Sequence, residues 1–491
     1  MLPTSPGLPK GPRSIPIAFL SAAFLAVHAQ AQVPTGTAVV GTSVNPGSAG
    51  TSGLYLVPLT GTAAVPIPVT GLPPALQVAS GLGNFGVGTL DLRRADGAIV
   101  VGTVTQGTPA VPLPLEIYVL HLNGAAVAPG TVQFTLGMVH DVSGTFVAAM
   151  PDGRVLVAAS DGNGFLANGP MAGHMFGILD LAGPTLTPLP NPAIVPTPGS
   201  IAGGLAVDPT GRYAYFTLTI NAPSPARQLT LNRIDLTSGS YCVIASWSGQ
   251  FAGGMSVDDD GTVYLSASDG NSIANFVHTV RPNGCSPAAV TTVQTSMPLG
   301  AIGASGMALD RADHRFLLPS GWAPGFAGPQ LNTVSSVDPT TGVATVIASP
   351  PPGGWGVLTR QGIAVFDAID SYGPCTDGQG HYWFDNFPNP GGQPVPGNLG
   401  FSLTLQSTAP LPVLSFLSLS FGRGALAVAG VQVLVDVGAA STTFLVPAAP
   451  LTFPMPIPAG LSLSGLLVTA QSFHLESSSA IAASAGLALR F

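Results

Sequence analysis

Hydrophobic and polar positions alternate along the middle of the chain, in short blocks separated by turn sequences. Residues 203–211 read Gly-Gly-Leu-Ala-Val-Asp-Pro-Thr-Gly, residues 253–261 repeat this pattern, and residues 306–310 repeat part of it. Each block predicts a strand, a tight turn and a second strand. A repeat of roughly 50 residues that holds several short strands is typical of a β-propeller.

One repeat unit shows the pattern most clearly. Its four predicted strands are residues 205–207, 213–218, 231–235 and 241–246. The same succession can be followed in two units downstream and two upstream, which predicts five complete units. Their first turns are marked in four cases by a glycine, at Gly97, Gly153, Gly211 and Gly261.

The two ends of the repeated region supply a sixth unit. Residues 355–359 and 362–367 have the pattern of a first and a second strand, and residues 53–59 and 63–69 have that of a third and a fourth. Joining them closes a ring and removes the exposed sheet edges that promote aggregation. We therefore predict a six-bladed β-propeller over residues 45–370, in which strand 53–59 pairs with strand 362–367.

The last part of the chain has short alternating segments without the repeat. Residues 371–491 predict a small β-sandwich, and only four charged residues follow position 401, namely Arg423, Asp436, Glu476 and Arg490. The outward strand positions should then be small and polar, as at Ser402, Thr404, Ser415 and Ser418. A face with so few charges has little protection against edge-to-edge contact, so we expect this module to mediate association with the cell surface, with itself or with a secretion partner.

The N-terminus has the pattern of a secretory signal peptide. Lys10 and Arg13 precede an apolar run over residues 15–27, and Ala29-Gln30-Ala31 follows. Cleavage after Ala31 would leave a secreted, periplasmic or cell-surface protein. An N-terminal membrane anchor is the alternative. No later segment reaches the 18 consecutive apolar residues expected of a membrane-spanning helix.

Composition excludes several classes of function. Charged residues are only 7% of the chain, and its net charge is −8. Positive charge is not clustered, as a nucleic-acid surface requires. Lys10 is the only lysine, so a mature chain lacks the residue for Schiff-base chemistry.

Three cysteines leave at least one outside any internal disulfide. Cys242 and Cys285 fall near the start of the fourth strand in neighbouring units. Outer strands of adjacent blades usually lie too far apart for a disulfide, so we expect these two to stay unbridged, although a bridge is not excluded.

The repeats resemble six-bladed propellers of the NHL-repeat and SMP-30/gluconolactonase-like group, on the strength of residues 203–211 and their copies. The resemblance covers about two thirds of the chain and implies a fold, because propellers host many unrelated activities. Lactonase members carry a channel metal held by Glu, Asp and Asn. Glu116, the only Glu between residues 45 and 370, falls on a predicted third strand instead of an inner one. Residues 372–491 look like a module found on exported bacterial proteins of unknown function.

Candidate ligand-binding residues lie in loops after the second strands. Ser-Asp-Gly-Asn occurs at residues 160–163 and again at 268–271, and Trp322 has the corresponding place in another unit. Such loops gather on one face of a propeller around the channel. The candidate residues for a sugar or cation site are therefore Asp161, Asn163, Asp269, Asn271 and Trp322. Repeated loop chemistry without a ligand is the alternative.

Three other motifs resemble functional sites, and each also has a structural explanation. The glycines at 81, 83 and 86 match a dinucleotide fingerprint, but a strand follows where that site needs a helix. Asp258-Asp259-Asp260-Gly261 is predicted as a turn, with a cation site as the alternative. The aromatic cluster at residues 381–387, which includes Trp383, predicts either a domain interface or a carbohydrate platform.

Two functions remain open from the sequence. The first is an exported, non-enzymatic propeller that binds or scaffolds a surface, glycan or protein ligand, with the C-terminal module for attachment or assembly. The second is a lactonase-like or lyase-like hydrolase with a divalent cation in its channel. Neither a G-x-S-x-G motif nor an H-E-x-x-H motif is present, so no catalytic residue is assigned.

Overall fold

The computed structural model is an all-β protein made of antiparallel sheets, with one 3-10 turn at Pro74–Leu76. It describes residues 33–44, 51–59, 64–78, 84–94, 96–108, 110–160, 166–190, 200–220, 227–269, 274–297, 306–311, 313–320, 332–351, 357–376, 381–385, 387, 392–408, 412–428, 430–447, 449–459 and 466–491. The predicted signal peptide and the candidate residues Asp161, Asn163, Asn271 and Trp322 lie outside these ranges.

Twenty-six strands lie in the described parts of residues 37–366, which we call the repeat region. The first thirteen are β1 (Thr37–Ser43), β2 (Gly53–Pro58), β3 (Ile67–Pro68), β4 (Asn84–Arg93), β5 (Ala98–Gln106), β6 (Leu113–Leu120), β7 (Leu122–Asn123), β8 (Ala126–Val127), β9 (Val132–Val139), β10 (Val142–Ala149), β11 (Val155–Ser160), β12 (Phe176–Asp180) and β13 (Thr185–Pro188). The others are β14 (Ser200–Val207), β15 (Tyr213–Ile220), β16 (Gln228–Asp235), β17 (Tyr241–Ser248), β18 (Gln250–Val257), β19 (Val263–Asp269), β20 (Asn275–Asn283), β21 (Ser286–Thr295), β22 (Ala308–Asp310), β23 (Arg315–Pro319), β24 (Val334–Val337), β25 (Ala344–Ala348) and β26 (Val357–Phe366).

Antiparallel pairing arranges most of these strands in groups of four. Three groups are separate sheets, with the orders β14-β15-β16-β17, β18-β19-β20-β21 and β22-β23-β24-β25. A twelve-stranded sheet contains three more successions, β26-β1-β2-β3, β4-β5-β6-β9 and β10-β11-β12-β13. Short contacts join these three, such as the single pair Ser43–Gly86 between β1 and β4. The predicted strands at 205–207, 213–218, 231–235 and 241–246 all fall within β14 to β17.

The double glycines of the repeat lie where first strands of neighbouring groups approach each other. A Cβ atom on Gly203 would lie 2.1 Å from Cβ of Ala252, and one on Gly254 would lie 2.4 Å from the carbonyl carbon of Gly306. Both glycine pairs also fall at a register shift, one in the pairing of β14 with β15 and the other in the pairing of β18 with β19. The motif is therefore explained by close backbone approach beside a bulge.

The closing group differs from the predicted one. β1 lies between β2 and β26, so residues 53–59 do not pair with residues 362–367 as we predicted. The segments predicted as two strands, at 355–359 and 362–367, belong to the single strand β26 as far as they are described. The predicted start at residue 45 missed β1 because all seven of its residues are buried, which removes the polar alternation that marks a half-exposed strand.

A disulfide joins Cys242 to Cys285 in the neighbouring group, against our expectation. The two Cα atoms are 5.7 Å apart, within the usual range for a bridge. Cys242 lies in β17, whereas Cys285 lies in the turn between β20 and β21, which brings it toward the adjacent group. Cys375 lies outside this disulfide and is buried.

The chain continues into a second set of strands, which we call the C-terminal unit. Its strands are β27 (Ile369–Tyr372), β28 (Tyr382–Phe384), β29 (Ser402–Ser407), β30 (Leu414–Ser420), β31 (Arg423–Val428), β32 (Val431–Val435), β33 (Ser441–Val446), β34 (Leu451–Pro454), β35 (Leu467–Leu475), β36 (Ile481–Ala483) and β37 (Gly486–Arg490). One sheet has the order β27-β37-β35-β30-β33 with β36 beside β35, a second has the order β28-β29-β34, and β31 and β32 form a hairpin. Leu403 and Leu405 of the second sheet share a core with Leu417 and Leu487 of the first.

Four small polar residues that we predicted to face outward do not lie on the surface of this unit. Ser402, Thr404, Ser415 and Ser418 are all buried, so their predicted outward placement is wrong. Polar partners cover them: Ser418 Oγ lies 2.8 Å from Thr443 Oγ1, and Ser415 Oγ lies 3.0 Å from His474 Nδ1. The hairpin of β31 and β32 covers part of the sheet face opposite the core. There the side-chain amide of Gln471 in β35 donates to the backbone carbonyl of Gln432 in β32 at 2.9 Å.

Candidate functional site

The first strands of all six four-stranded groups line one cavity of about 140 Å³. Each contributes residues near its C-terminal end: Leu90 from β4, Ala149 from β10, Leu205 from β14, Met255 from β18, Ala308 from β22 and Ile363 from β26. We call this end of the strands, where the first turn of each group begins, the turn end. Ser371, Tyr372 and Gly373 of the C-terminal unit also line the cavity, so this unit covers its turn end.

Buried charges cross the contact between the repeat region and the C-terminal unit. Arg311, which is 2% exposed, lies 3.5 Å from a carboxylate oxygen of Asp258 and 3.9 Å from one of Asp367. Arg94, directly after β4, pairs with Asp370 in β27, with a nitrogen–oxygen distance of 3.3 Å. We call these residues, together with Asp259 and Arg490, the turn-end network.

Protonation in the turn-end network is set by burial and by neighbouring charges. Burial raises the pKa of Asp258 to about 7, although Arg311 acts in the opposite direction. Burial also raises the pKa of Asp367 well above its ordinary value. Burial alone would lower the pKa of Arg311, but Asp259 and Asp258 raise it, so the guanidinium stays charged. Ionising Asp258 or Asp367 in this buried environment therefore costs free energy.

Hydrogen bonds complete the contact. The Ser371 hydroxyl donates to a carboxylate oxygen of Asp259. Nε2 of His381 lies 2.7 Å from the backbone carbonyl of Asp259, and its Nδ1 lies 3.5 Å from Sγ of Cys375. The Asp-rich turn that allowed a cation site in the sequence is thus bonded to residues of the C-terminal unit. Its Gly261 N–H also closes the turn on the Asp258 carbonyl at 2.9 Å.

The aromatic cluster lies at the same contact. Trp383 stacks on His381 with ring centroids 5.3 Å apart. Phe387 is buried and packs on Phe316 and Tyr264 of the repeat region, at 5.9 and 5.6 Å between centroids. The contacts of Phe387 join the C-terminal unit to the repeat region, whereas the stack of Trp383 on His381 lies within the C-terminal unit.

Asp269 lies at the other end of its group, which we call the loop end. It pairs with Gln250 at the start of β18, whereas Asp258 and Asp259 follow the end of that strand. Nearby, the guanidinium of Arg227 lies 3.5 Å above the ring of Phe251. Burial lowers the pKa of Arg227, and the charge of Asp269 partly offsets this.

A ring stack joins this cluster to β17 of the preceding group. His278 stacks on Trp247 with centroids 4.2 Å apart, and its Nε2 lies 2.6 Å from the side-chain oxygen of Gln250. Burial lowers the pKa of His278 to about 4, so its imidazole is neutral at pH 7. The neutral His278 ring lies within hydrogen-bonding distance of Gln250 on one side and of Thr292 on the other, and its face packs on Trp247 of the preceding group.

The two described candidate residues, which the sequence assigned to different segments, lie at different ends of the repeat region. Asp269 is at the loop end and Trp383 is at the turn end, on opposite sides of β18. Sequence reasoning missed Arg311 and Arg227. The signal for Arg311 was its position directly after the degraded repeat block at 306–310, where an arginine follows the turn aspartate.

Within the described ranges, no three or more His, Cys, Asp and Glu side chains converge as metal ligands. Glu116 lies in β6, a third strand, where Tyr118 and Gln133 each donate to its carboxylate at 2.7 Å. Among the same residues, no helix has the length and hydrophobicity needed to cross a bilayer.

Comparison with known proteins gives partial likenesses only. No family model matches the chain, and no curated protein matches it. A protein of unknown function from Bacteroides caccae is 11% identical with a TM-score of 0.40, over 67% of this chain and 98% of that one. A protein from Bacteroides uniformis assigned as a 6-phosphogluconolactonase is 14% identical with a TM-score of 0.38, over the same shares. Puromycin hydrolase is 14% identical with a TM-score of 0.36, over 71% of this chain and 50% of that one.

Proposed function

We propose that this chain is an exported, non-enzymatic binding or scaffolding protein. Its repeat region is a six-bladed β-propeller closed by strands from both ends of the region, and its C-terminal unit is a β-sandwich for attachment or assembly. The six four-stranded successions support the blade count, and the cavity lined by all six first strands supports a ring around a central channel.

The main support for this proposal is that the charged side chains at the turn end of the cavity are paired with each other. Arg94 pairs there with Asp370 of the C-terminal unit, and Arg311 pairs with Asp258 of the repeat region and with Asp367 between the two parts. Charges held in such pairs fix the C-terminal unit against the propeller. A substrate that reacted at these charged side chains would have to break the ion pairs that hold the two parts of the chain together.

Ligand recognition is then expected at the loop end, away from the C-terminal unit. Asp269 is the described member of the predicted loop set, and Arg227 and Phe251 lie beside it. A carboxylate, a guanidinium and aromatic rings are groups that bind sugars or polar peptide segments. Export is supported by the Cys242–Cys285 disulfide, because such bonds persist in oxidising compartments.

A glycan array probed with the exported chain tests the binding role. We expect binding to at least one class of glycan, and a tenfold or greater loss in Asp269→Ala. Asp180→Ala, at the exposed end of β12, is the matched control and should bind like the wild type.

The competing proposal is the metal-dependent lactonase-like or lyase-like hydrolase. It requires a stoichiometric divalent ion and hydrolysis of an aldonolactone that EDTA abolishes. That result would replace the binding function with an enzymatic one. Turnover no higher than that of heat-inactivated protein would support the binding role.

A further inference from the structure

The six-stranded sheet of the C-terminal unit has two edges with opposite surroundings. β27 forms one edge, and its four residues are all buried where the unit meets the repeat region. β33 forms the other edge and, among the described strands, pairs only with β30. Four of the six β33 residues are exposed, so this edge presents backbone donors and acceptors to solvent.

β33 lacks the usual protection of an edge strand. Its sequence, Ser-Thr-Thr-Phe-Leu-Val, contains no charge and no proline. Three of the six outer strands of the repeat region, β3, β13 and β21, contain a proline (Pro68, Pro188 and Pro287), whereas β9, β17 and β25 contain neither proline nor charge. Proline and charge are the devices that normally block strand addition at an edge.

An apolar row runs across the sheet to this edge. Phe473 of β35 pairs with Phe416 of β30, which pairs with Leu445 of β33. Leu445 is 68% exposed, and Leu414 and Ile481, which point to the same side, are 41% and 43% exposed. Nine of the 16 exposed large hydrophobic residues of the described chain lie in this unit, although it is about a quarter of the sequence. The edge and the row together form one surface, which we call the β33 surface.

We propose that the β33 surface binds the β33 surface of a second copy of this chain. A strand pairs with itself in antiparallel fashion about a two-fold axis normal to the sheet, so one surface supplies both halves of the contact. An axis through Phe444 places Leu445 of one copy beside Thr443 of the other. The two apolar rows then meet across a continuous sheet of both copies.

The chemistry of the surface favours a second copy over a charged partner. β30 and β33 contain no charged residue, so two copies meet without like-charge repulsion. An acidic peptide or an anionic membrane would find no opposite charge on these strands to select it. The inference rests on the proposed assembly role of the C-terminal unit and specifies its partner.

Sedimentation velocity on the exported chain, up to about 100 µM, tests the inference. We expect a monomer–dimer equilibrium that Leu445→Lys weakens at least tenfold. Leu426→Lys is the matched control, because Leu426 is 50% exposed in the same unit but lies on the β31–β32 hairpin. Both positions are at the surface, and melting curves verify that both variants fold.

Hydrogen exchange gives a second readout that is specific to strand pairing. The amides of residues 441–446 should exchange more slowly at concentrations where the dimer forms. A monomer at all concentrations, equal weakening by both lysine variants, or a dimer with unprotected β33 amides would each overturn the inference. If the chain binds glycans but stays a monomer, only this inference is overturned. If it dimerises through β33 but binds no glycan, only the proposed binding function is overturned.

Discussion

At the scale of single residues, the repeat motif owes its glycines to backbone proximity. The first strands converge around the cavity, so a methyl group on Gly254 would overlap the backbone of Gly306 and Met307, both within 2.4 Å. Turn glycines have a different reason, because Gly97, Gly153, Gly211 and Gly261 all have φ between +72° and +87°. One residue type thus serves two physical needs in each repeat.

Gly254→Ala should destabilise the protein by about 1–3 kcal/mol, since the added Cβ forces two first strands apart. The free energy of unfolding in urea measures this effect. Gly183→Ala is the control, because a Cβ there meets nothing within 4 Å and its φ is not positive. Equal stability of Gly254→Ala and the wild type would contradict the close approach.

His474 makes the C-terminal unit sensitive to acid. Its ring is fully buried, stacks 3.7 Å from Tyr382, and has a pKa lowered by burial to about 4. Because the unfolded histidine takes up a proton first, the stability that the neutral ring provides is present above about pH 6.5 and is lost as the pH falls toward 4. Between pH 7 and pH 4.5 this costs about 2 kcal/mol.

The His474→Gln variant should therefore lose less stability than the wild type over that pH interval. The measured quantity is the slope of the unfolding free energy against pH, because the substitution also lowers stability at pH 7. His121→Gln, whose side chain is 43% exposed, serves as the comparison. A wild-type slope in His474→Gln would show that another group causes the acid sensitivity.

At the scale of elements, β1 holds the first group of the repeat region together. It pairs with β2 on one side and β26 on the other, and Ala38, Val39 and Val40 have no exposed surface. Without β1, two strand edges and a hydrophobic face would be uncovered at once. The junction between the two ends of the repeat region thus depends on seven residues.

Removal of residues 32–43 should lower the melting temperature and cause aggregation, because the edges of β2 and β26 become available to other chains. Dynamic light scattering and thermal melting measure both effects. Removal of residues 1–31 alone is the control and should leave both unchanged. A monodisperse protein lacking β1 would show that β2 and β26 find another way to close.

At the scale of the whole molecule, buried charge links the two parts of the chain. Asp258 in the repeat region is buried, and burial raises its pKa to about 7. The positive charge of Arg311 therefore does not fully offset the cost of ionising Asp258. An aspartate with a raised folded pKa stabilises the native state below its unfolded value near 4. That contribution is lost as the pH rises to 7.

Asp258→Asn should consequently stabilise the protein at pH 8 relative to the wild type, by about 2 kcal/mol, with a smaller gain at pH 5. Unfolding free energies at the two pH values measure the difference. Asp180→Asn at the surface should show no such dependence. Destabilisation of Asp258→Asn at pH 8 would mean that the ion pair with Arg311 outweighs the cost of burial.

The sequence alone determined the all-β class, the spacing of the strands and the position of the turns. These features are local, because alternation and turn glycines reflect the backbone of a few neighbouring residues. Strands β14 to β17 contain the predicted segments, and the turn glycines adopt the positive φ that such turns need. The blade count and the binding role stay predictions.

Tertiary structure decided what covers each strand and which distant groups meet. β1 escaped detection because burial on both faces removes alternation, and Ser415 and Ser418 were misplaced because a small polar residue that is buried looks the same in the sequence as one that is exposed. The Cys242–Cys285 bridge and the pairing of Arg311 with Asp258 and Asp367 join residues more than 40 positions apart. Such contacts depend on how sheets pack, and no local pattern of residues records that packing.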